Sequence, residues 1–300
     1  MEEWALKEAV FTGSCTAMIT PFHENGIDYA RLKRQLEYQA ENGTNAVVIA
    51  GTTGENATLK DREYEQLAVF CVRACAGRMK VILGIGGNCT EKCLENARFA
   101  AIAGADAVLM TPPYYNKTSE TGLIEHFQYV ADRADLPLIL YNVPGRTVIG
   151  ITESAYLTLA KHPNINGVKE ASGDFSLIAR VAAACGGDLW IWSGNDDNTI
   201  PMMALGAQGV ISVASNIIPA QIAAMCEHCL NGRFDAANAL YAQYAQLIRL
   251  LFIETNPIPV KAAMKLLGTD SGQLRRPLAD LSAAHLESLK ACMERTGLLG

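Results

Sequence analysis

The chain lacks most of the features that would mark it for a membrane, a nucleic acid or a nucleotide cofactor. It has no excess of positive charge: 25 Lys and Arg against 31 Asp and Glu leave a formal net charge of −6 and a pI near 5.5. That balance argues against nucleic acid and against anionic lipid surfaces as partners. No apolar run reaches membrane-spanning length, and no N-terminal stretch joins a basic start, an apolar run and a small-residue cleavage site. A soluble, cytoplasmic protein is the expectation. No G-x-G-x-x-G follows the first strand-like run, so the dinucleotide fingerprint is missing. Low-complexity and linker-like stretches are also missing, as is any close internal repeat beyond a strand–helix unit.

Cysteine is modest and odd in number, nine in 300 residues. A disulfide framework is therefore not expected, and reduced thiols packed as small hydrophobes are. Cys71/Cys75 and Cys89/Cys93 have helical i,i+4 spacing, and Cys226 and Cys229 flank Glu227 and His228. No second matching half stands beside any of these pairs, so no metal site is expected.

What the chain does have is apolar rhythm. Half of its residues are hydrophobic, enough for a large core. Short runs rich in Val, Ile, Leu or aromatics fall at residues 15–20, 46–50, 80–85, 107–111, 137–142, 166–170, 189–193 and 209–213, each closing on a turn-forming residue. Amphipathic helical patterns separate them at 28–41, 60–76, 90–103, 121–134, 152–161, 175–185 and 198–205. Asp28, Thr90, Thr152 and Asp174 stand where N-caps belong. Continuous apolar strands alternating with helices imply a parallel sheet covered on both faces. Eight such units in roughly 200 residues fit an α/β fold of the (β/α)8 TIM-barrel type. Beyond residue 231 only helices are expected, at 234–252, 259–267 and 282–296. The chain thus divides into a barrel, 1–230, and a C-terminal helical appendage, 231–300.

In such barrels the active site lies at the C-terminal ends of the strands, so the polar residues there carry the functional signal. Lys169 is the most informative. It ends the sixth run in N-G-V-K-E-A-S-G, among Val168, Ala171 and small neighbours. Burying an ammonium disfavours its charged form, and a neutral amine attacks carbonyls to form Schiff bases. The plainer alternative is a lysine with a buried stem and a head that reaches solvent. The second run ends in G-T-T-G-E (Gly51 to Glu55), two hydroxyls on a glycine turn suited to a carboxylate, or else an ordinary loop capping the next helix. The fourth run ends in T-P-P-Y-Y-N, with Tyr114 and Tyr115, and the fifth in L-Y-N-V-P-G-R-T, with Tyr141 and Arg146. Three tyrosines converging on one rim with a lysine suit proton transfer. The seventh run ends in S-G-N-D and the eighth contains G-V-I-S-V, whose glycines leave room for a substrate or serve barrel packing.

Together, G-T-T-G-E, T-P-P-Y-Y-N, Y-N-V-P-G-R-T, G-V-K-E-A-S-G and E-T-N-P-I-P-V-K (Glu254 to Lys261) resemble the dihydrodipicolinate synthase (4-hydroxy-tetrahydrodipicolinate synthase) branch of the pyruvate-dependent class I aldolases. The resemblance runs from Phe11 essentially to the C-terminus. It implies a lyase that joins pyruvate to L-aspartate 4-semialdehyde, giving 4-hydroxy-tetrahydrodipicolinate on the diaminopimelate route to lysine. No separate cofactor is implied, since the electron sink is the imine between Lys169 and pyruvate. By the same resemblance Tyr141 gives and takes protons, with Thr52 and Tyr115 completing its relay. Thr53 holds the pyruvate carboxylate, Ile211 adds a backbone contact, Arg146 grips the semialdehyde carboxylate, and Gly194 leaves space. Tyr115 would serve the neighbouring subunit's site, which implies a homo-oligomer, normally a dimer of dimers.

Two rivals stand beside this expectation. Another pyruvate aldolase, such as N-acetylneuraminate lyase, would share Lys169 and Tyr141, but Arg146 suits a short acceptor with its own carboxylate. An idle barrel that senses a keto acid would have no need of the complete set. In lysine-inhibited members of the resembled family a glutamate and a histidine help bind the inhibitor. Here Lys92 stands at the glutamate position and Asp61 at the histidine position, which implies weak or absent inhibition by L-lysine.

Overall fold

The computed structural model describes residues 7–300. Eight parallel strands close into a barrel: β1 (Gly13–Ala17), β4 (Ala46–Ile49), β5 (Lys80–Gly84), β6 (Ala107–Met110), β7 (Leu138–Asn142), β8 (Ile165–Glu170), β9 (Trp190–Ser193) and β10 (Gly209–Ser212). Between β1 and β4 a short antiparallel hairpin pairs β2 (Phe22–His23) with β3 (Gly26–Ile27). All eight expected strands are present. Most are buried along their whole length, which is why they read as continuous apolar runs rather than alternating ones. The first begins two residues earlier than expected, at Gly13. At the seam where the first strand meets the last, Gly13 pairs with Gly209. A Cβ on Gly209 would lie 1.9 Å from the Gly13 carbonyl oxygen, so no side chain fits there.

Helices cover the outside: α1 (Tyr29–Glu41), α2 (Asp61–Cys75), α3 (Thr90–Ala103), α4 (Glu120–Ala131), α5 (Pro144–Thr147), α6 (Glu153–Leu159), α7 (Phe175–Cys185), α8 (Thr199–Ala204) and α9 (Pro219–Leu230). Asp28, Thr152 and Asp174 cap α1, α6 and α7, each side chain accepting from the N–H three residues on. Thr90 does not cap α3. Cys89 holds the cap position, and the Thr90 hydroxyl bonds His126 Nδ1 instead, at 2.8 Å. The sequence reading did not anticipate the hairpin, α5 or α9. The C-terminal helices α10 (Phe234–Leu250), α11 (Ile258–Leu266) and α12 (Ala283–Arg295) follow, α10 packing on α9 and α12, and α11 on α12. No helix of the described residues is long and apolar enough to cross a membrane. No cluster of three or more metal-ligating side chains occurs among them either. All nine cysteines are free thiols, and only Cys89 is exposed.

The N-terminal ends of the strands are sealed by residues 7–11. Lys7 Nζ sits 2.7–2.8 Å from the carbonyl oxygens of Ala160, His162, Ile165 and Asp188. Asn166 ties the same segment down, accepting from Val10 N–H and donating to the Glu8 carbonyl. Phe11 stacks on Trp192 with ring centroids 4.9 Å apart.

Candidate active site

The opposite end of the barrel is open. A cavity of about 330 Å³ lies over the C-terminal strand ends, with Thr52, Tyr114, Tyr141, Arg146 and Asn256 in its wall. Lys169 stands behind it near the end of β8, only 5 % exposed. It is paired in register with Tyr141 on β7, and its Nζ lies 4.4 Å from the centre of the Tyr141 ring. A bulge between Leu138 and Ile139 shifts the β7–β8 register upstream of that pair. The amine and the phenol are therefore set side by side by backbone pairing, not by flexible loops.

Buried polar groups pin the strand ends around Lys169. Next to it in the chain, Glu170 accepts from Tyr156 Oη at 2.5 Å, from Asn142 Nδ2 at 2.9 Å and from the Ser172 N–H at 2.6 Å. Burial, and then the Glu170 charge, holds the Tyr156 phenol well above its ordinary pKa. Asp196, in the S-G-N-D turn, accepts from the Ser212 hydroxyl and from the Val213 and Ala214 N–H groups. Burial raises its pKa, with those bonds and the nearby Lys169 charge opposing. The Cys15 thiol, fully buried beside Lys169, is pushed up by desolvation. It is an inert neighbour, not a second nucleophile.

The remaining expected residues fall into four groups. Thr52, Tyr141 and Arg146 share the cavity wall. Thr53 is buried next to it and its Oγ1 accepts from Asn256 Nδ2 at 2.8 Å, while Ile211 is wholly buried on β10. Tyr115 points away. It is 91 % exposed, at a left-handed φ of +65°, so within one chain only Tyr114 and Tyr141 of the three tyrosines reach the cavity. Gly194 is held by backbone packing: a Cβ there would lie 2.7 Å from Ala171 Cβ, and its N–H donates to the Glu170 carbonyl at 2.7 Å.

Sequence reasoning did not single out Asn256, Asp196 or the buried pair Glu55–Lys261. Glu55 precedes a short 3-10 turn, Asn56–Thr58, but its side chain makes no capping bond there. It accepts from Lys261 Nζ at 2.5 Å, and Lys261 has no exposed surface at all. The available signal was a lone lysine inside the apolar run Ile258–Met264.

Residues 10–296 match the model of the Dihydrodipicolinate synthetase family. The chain belongs to that family. It is 47 % identical to the 4-hydroxy-tetrahydrodipicolinate synthase of Thermoanaerobacter sp. (strain X514), over 97 % of this chain and 98 % of the relative. It is 43 % identical to the enzyme of that name from Sulfurihydrogenibium sp. (strain YO3AOP1), over 97 % and 100 %. Among solved structures, dihydrodipicolinate synthase from Aquifex aeolicus superposes with a TM-score of 0.94 at 40 % identity, covering 96 % of this chain and 99 % of that one. The Cyanidioschyzon merolae protein, solved with lysine bound, gives 0.94 at 40 % identity, covering 97 % and 100 %. A family member described as the first monomeric variant also gives 0.94, at 39 % identity, covering 97 % and 98 %.

Proposed function

We propose that this protein is a cytoplasmic lyase that condenses pyruvate with L-aspartate 4-semialdehyde to give 4-hydroxy-tetrahydrodipicolinate, a step toward diaminopimelate and lysine. The observation that carries the reading is the buried Lys169 held in register against Tyr141, beneath a cavity rimmed by Arg146, in a chain of this family.

Lys169 Nζ attacks the keto carbon of pyruvate and water leaves, forming a protonated imine. The imine draws electrons from the methyl group, which loses a proton to become the enamine; no metal is needed for this step. The enamine carbon bonds to the aldehyde carbon of the second substrate, whose oxygen takes up a proton. The semialdehyde's own amine then attacks the imine carbon, releasing Lys169 and closing the ring. Tyr141 gives and takes these protons, relayed through Thr52 and Tyr115. Thr53 and the N–H groups of its turn hold the pyruvate carboxylate, Ile211 adds backbone contact, and Gly194 keeps side chains from the strand end. Arg146, which faces the cavity and whose guanidinium has only the Asn256 carbonyl, at 3.1 Å, as partner among the described residues, binds the semialdehyde carboxylate.

Tyr115 lies exposed in one chain, so its relay role requires a second subunit. A homo-oligomer follows, and a dimer of dimers is the arrangement we favour; sedimentation across a concentration series tests it. For the chemistry, the test is borohydride reduction in the presence of pyruvate followed by peptide mass mapping, alongside turnover with aspartate semialdehyde. A pyruvyl adduct on any other residue overturns the mechanism. An adduct on Lys169 without semialdehyde turnover assigns the chain to a different pyruvate aldolase activity.

A further inference from the structure

Two points tie the C-terminal segment to the turn after β4. At the cavity wall, Asn256 Nδ2 donates to Thr53 Oγ1 at 2.8 Å, and the Asn256 carbonyl accepts from Arg146 Nη2 at 3.1 Å. Deeper, Lys261 on α11 donates to Glu55 Oε1 at 2.5 Å and to the Gln273 carbonyl at 2.8 Å. Glu55 Oε2 accepts the Arg275 N–H at 2.9 Å. Thr53 and Glu55 belong to one tight turn, closed by bonds from Gly54 and Asn56 N–H to the Gly51 carbonyl and from Glu55 N–H to the Thr52 carbonyl. Asn256 and Lys261 belong to one short stretch at the head of α11. Two rigid pieces are thus joined side by side.

The ionic link is an expensive way to join them. Both partners are buried, Lys261 at 0 % and Glu55 at 4 % exposure. Desolvation lowers the Lys261 pKa, with Glu55 opposing. Buried ion pairs are commonly no more stable than an apolar pair of the same volume, so stability alone does not account for one here. Geometry does. Glu55 sits at a left-handed φ of +56°, a conformation that persists in a non-glycine residue only where its surroundings over-determine it. Phe22, from the hairpin, closes the arrangement, with Lys261 Nζ at 4.3 Å and the Arg275 guanidinium at 4.2 Å from its ring centre.

We infer that Glu55, Lys261 and Asn256 are positioning residues, a two-point clamp that sets Thr53 and Arg146 at a fixed separation across the cavity and so makes both substrate carboxylate sites depend on α11. This deepens the proposed function and rests on it. Breaking the clamp has a signature distinct from loss of either carboxylate contact, because both substrates are released together.

The test compares the wild-type protein with the double variant Glu55→Leu/Lys261→Met, which removes both charges of the pair together. The Michaelis constants for pyruvate and for semialdehyde should both rise, by about three- to tenfold, as positioned hydrogen bonds loosen. Borohydride trapping at saturating pyruvate should still label Lys169. Unchanged Michaelis constants in the folded double variant would overturn the inference, as would a fall in kcat alone, which is the mark of a merely structural pair. If the double variant does not fold, Asn256→Ala decides, since it removes the Nδ2–Thr53 bond while leaving the buried ions and the main-chain carbonyl that meets Arg146 in place. A raised Michaelis constant for pyruvate, with that for semialdehyde little changed, supports the clamp, and an unchanged constant for pyruvate refutes it. Failure of the wild-type protein itself to trap pyruvate on Lys169, or to turn over semialdehyde, would sink the proposed function and is read separately.

Discussion

The two ends of the barrel are built on opposite principles. At the N-terminal end polar groups are spent on each other: the Lys7 ammonium on four carbonyls, Asn166 on the Glu8 and Val10 backbone, Trp190 Nε1 on the Lys7 carbonyl. At the C-terminal end capacity is left over. Arg146 forms no ion pair among the described residues and meets only a backbone carbonyl. Asn256 Oδ1 is buried without a hydrogen-bond partner among the described residues. Unmet polar capacity is costly in a folded protein. Other buried atoms without a partner among the described residues, Ser14 Oγ and Tyr64 Oη among them, are scattered through the barrel, but Arg146 and Asn256 share one cavity, where a ligand completes them. One end supplies stability and the other chemistry.

That division predicts effects that separate cleanly. Lys169→Ala should abolish pyruvate trapping and nearly all turnover while melting close to the wild-type temperature; appreciable remaining activity would refute the Schiff-base assignment. Arg146→Ala should raise the Michaelis constant for semialdehyde by roughly tenfold to a hundredfold, the usual worth of a charge-assisted contact at about 1.5–3 kcal/mol. If the constant for pyruvate rises more, Arg146 serves the other substrate. At the sealed end the pattern inverts. Lys7→Ala should cost about 1.5–3 kcal/mol of stability, as expected for hydrogen bonds made by a charged donor, and leave kcat and both Michaelis constants unchanged. Lost activity without lost stability would dissolve the contrast between the ends.

The smallest effect concerns inhibition. Lys92 and Asp61, the two departures from the lysine-inhibited pattern, form an ion pair with each other at 3.0 Å, and Glu95 adds a second carboxylate at 3.4 Å. Neighbouring Glu91 accepts from the Tyr129 hydroxyl at 2.8 Å. The nearby carboxylates are already engaged, and an incoming α-ammonium would also face the Lys92 charge. Millimolar L-lysine should therefore leave steady-state turnover essentially unchanged, whereas clear inhibition at sub-millimolar concentration would show a lysine site built another way.

The barrel was legible because its strands are buried on both faces and its helices present one apolar stripe each; α7 falls at the expected residues, 175–185. The hairpin escaped because two-residue strands carry no periodicity, and α9 because Pro219 opens it straight after the apolar β10 loop. Lys169, Tyr141, Thr52 and Arg146 could be placed together from the ends of their strands and the motifs there. The outward turn of Tyr115 was implied only by the family resemblance, which gives it to the neighbouring subunit's site, since in the chain itself it depends on a single left-handed backbone angle. The Glu55–Lys261 pair spans 206 positions of sequence, beyond any local pattern.

The seam between Gly13 and Gly209 has a consequence during synthesis. The first strand leaves the ribosome with one edge unpaired, and its partner on that side is about two hundred residues behind it. Until β10 emerges, the nascent chain is an open, curling sheet with both outer edges exposed. Such edges invite pairing with other chains. A glycine on each side of the seam lets the last strand dock without a side chain to clear. The interval of vulnerability is then set by translation speed rather than by packing.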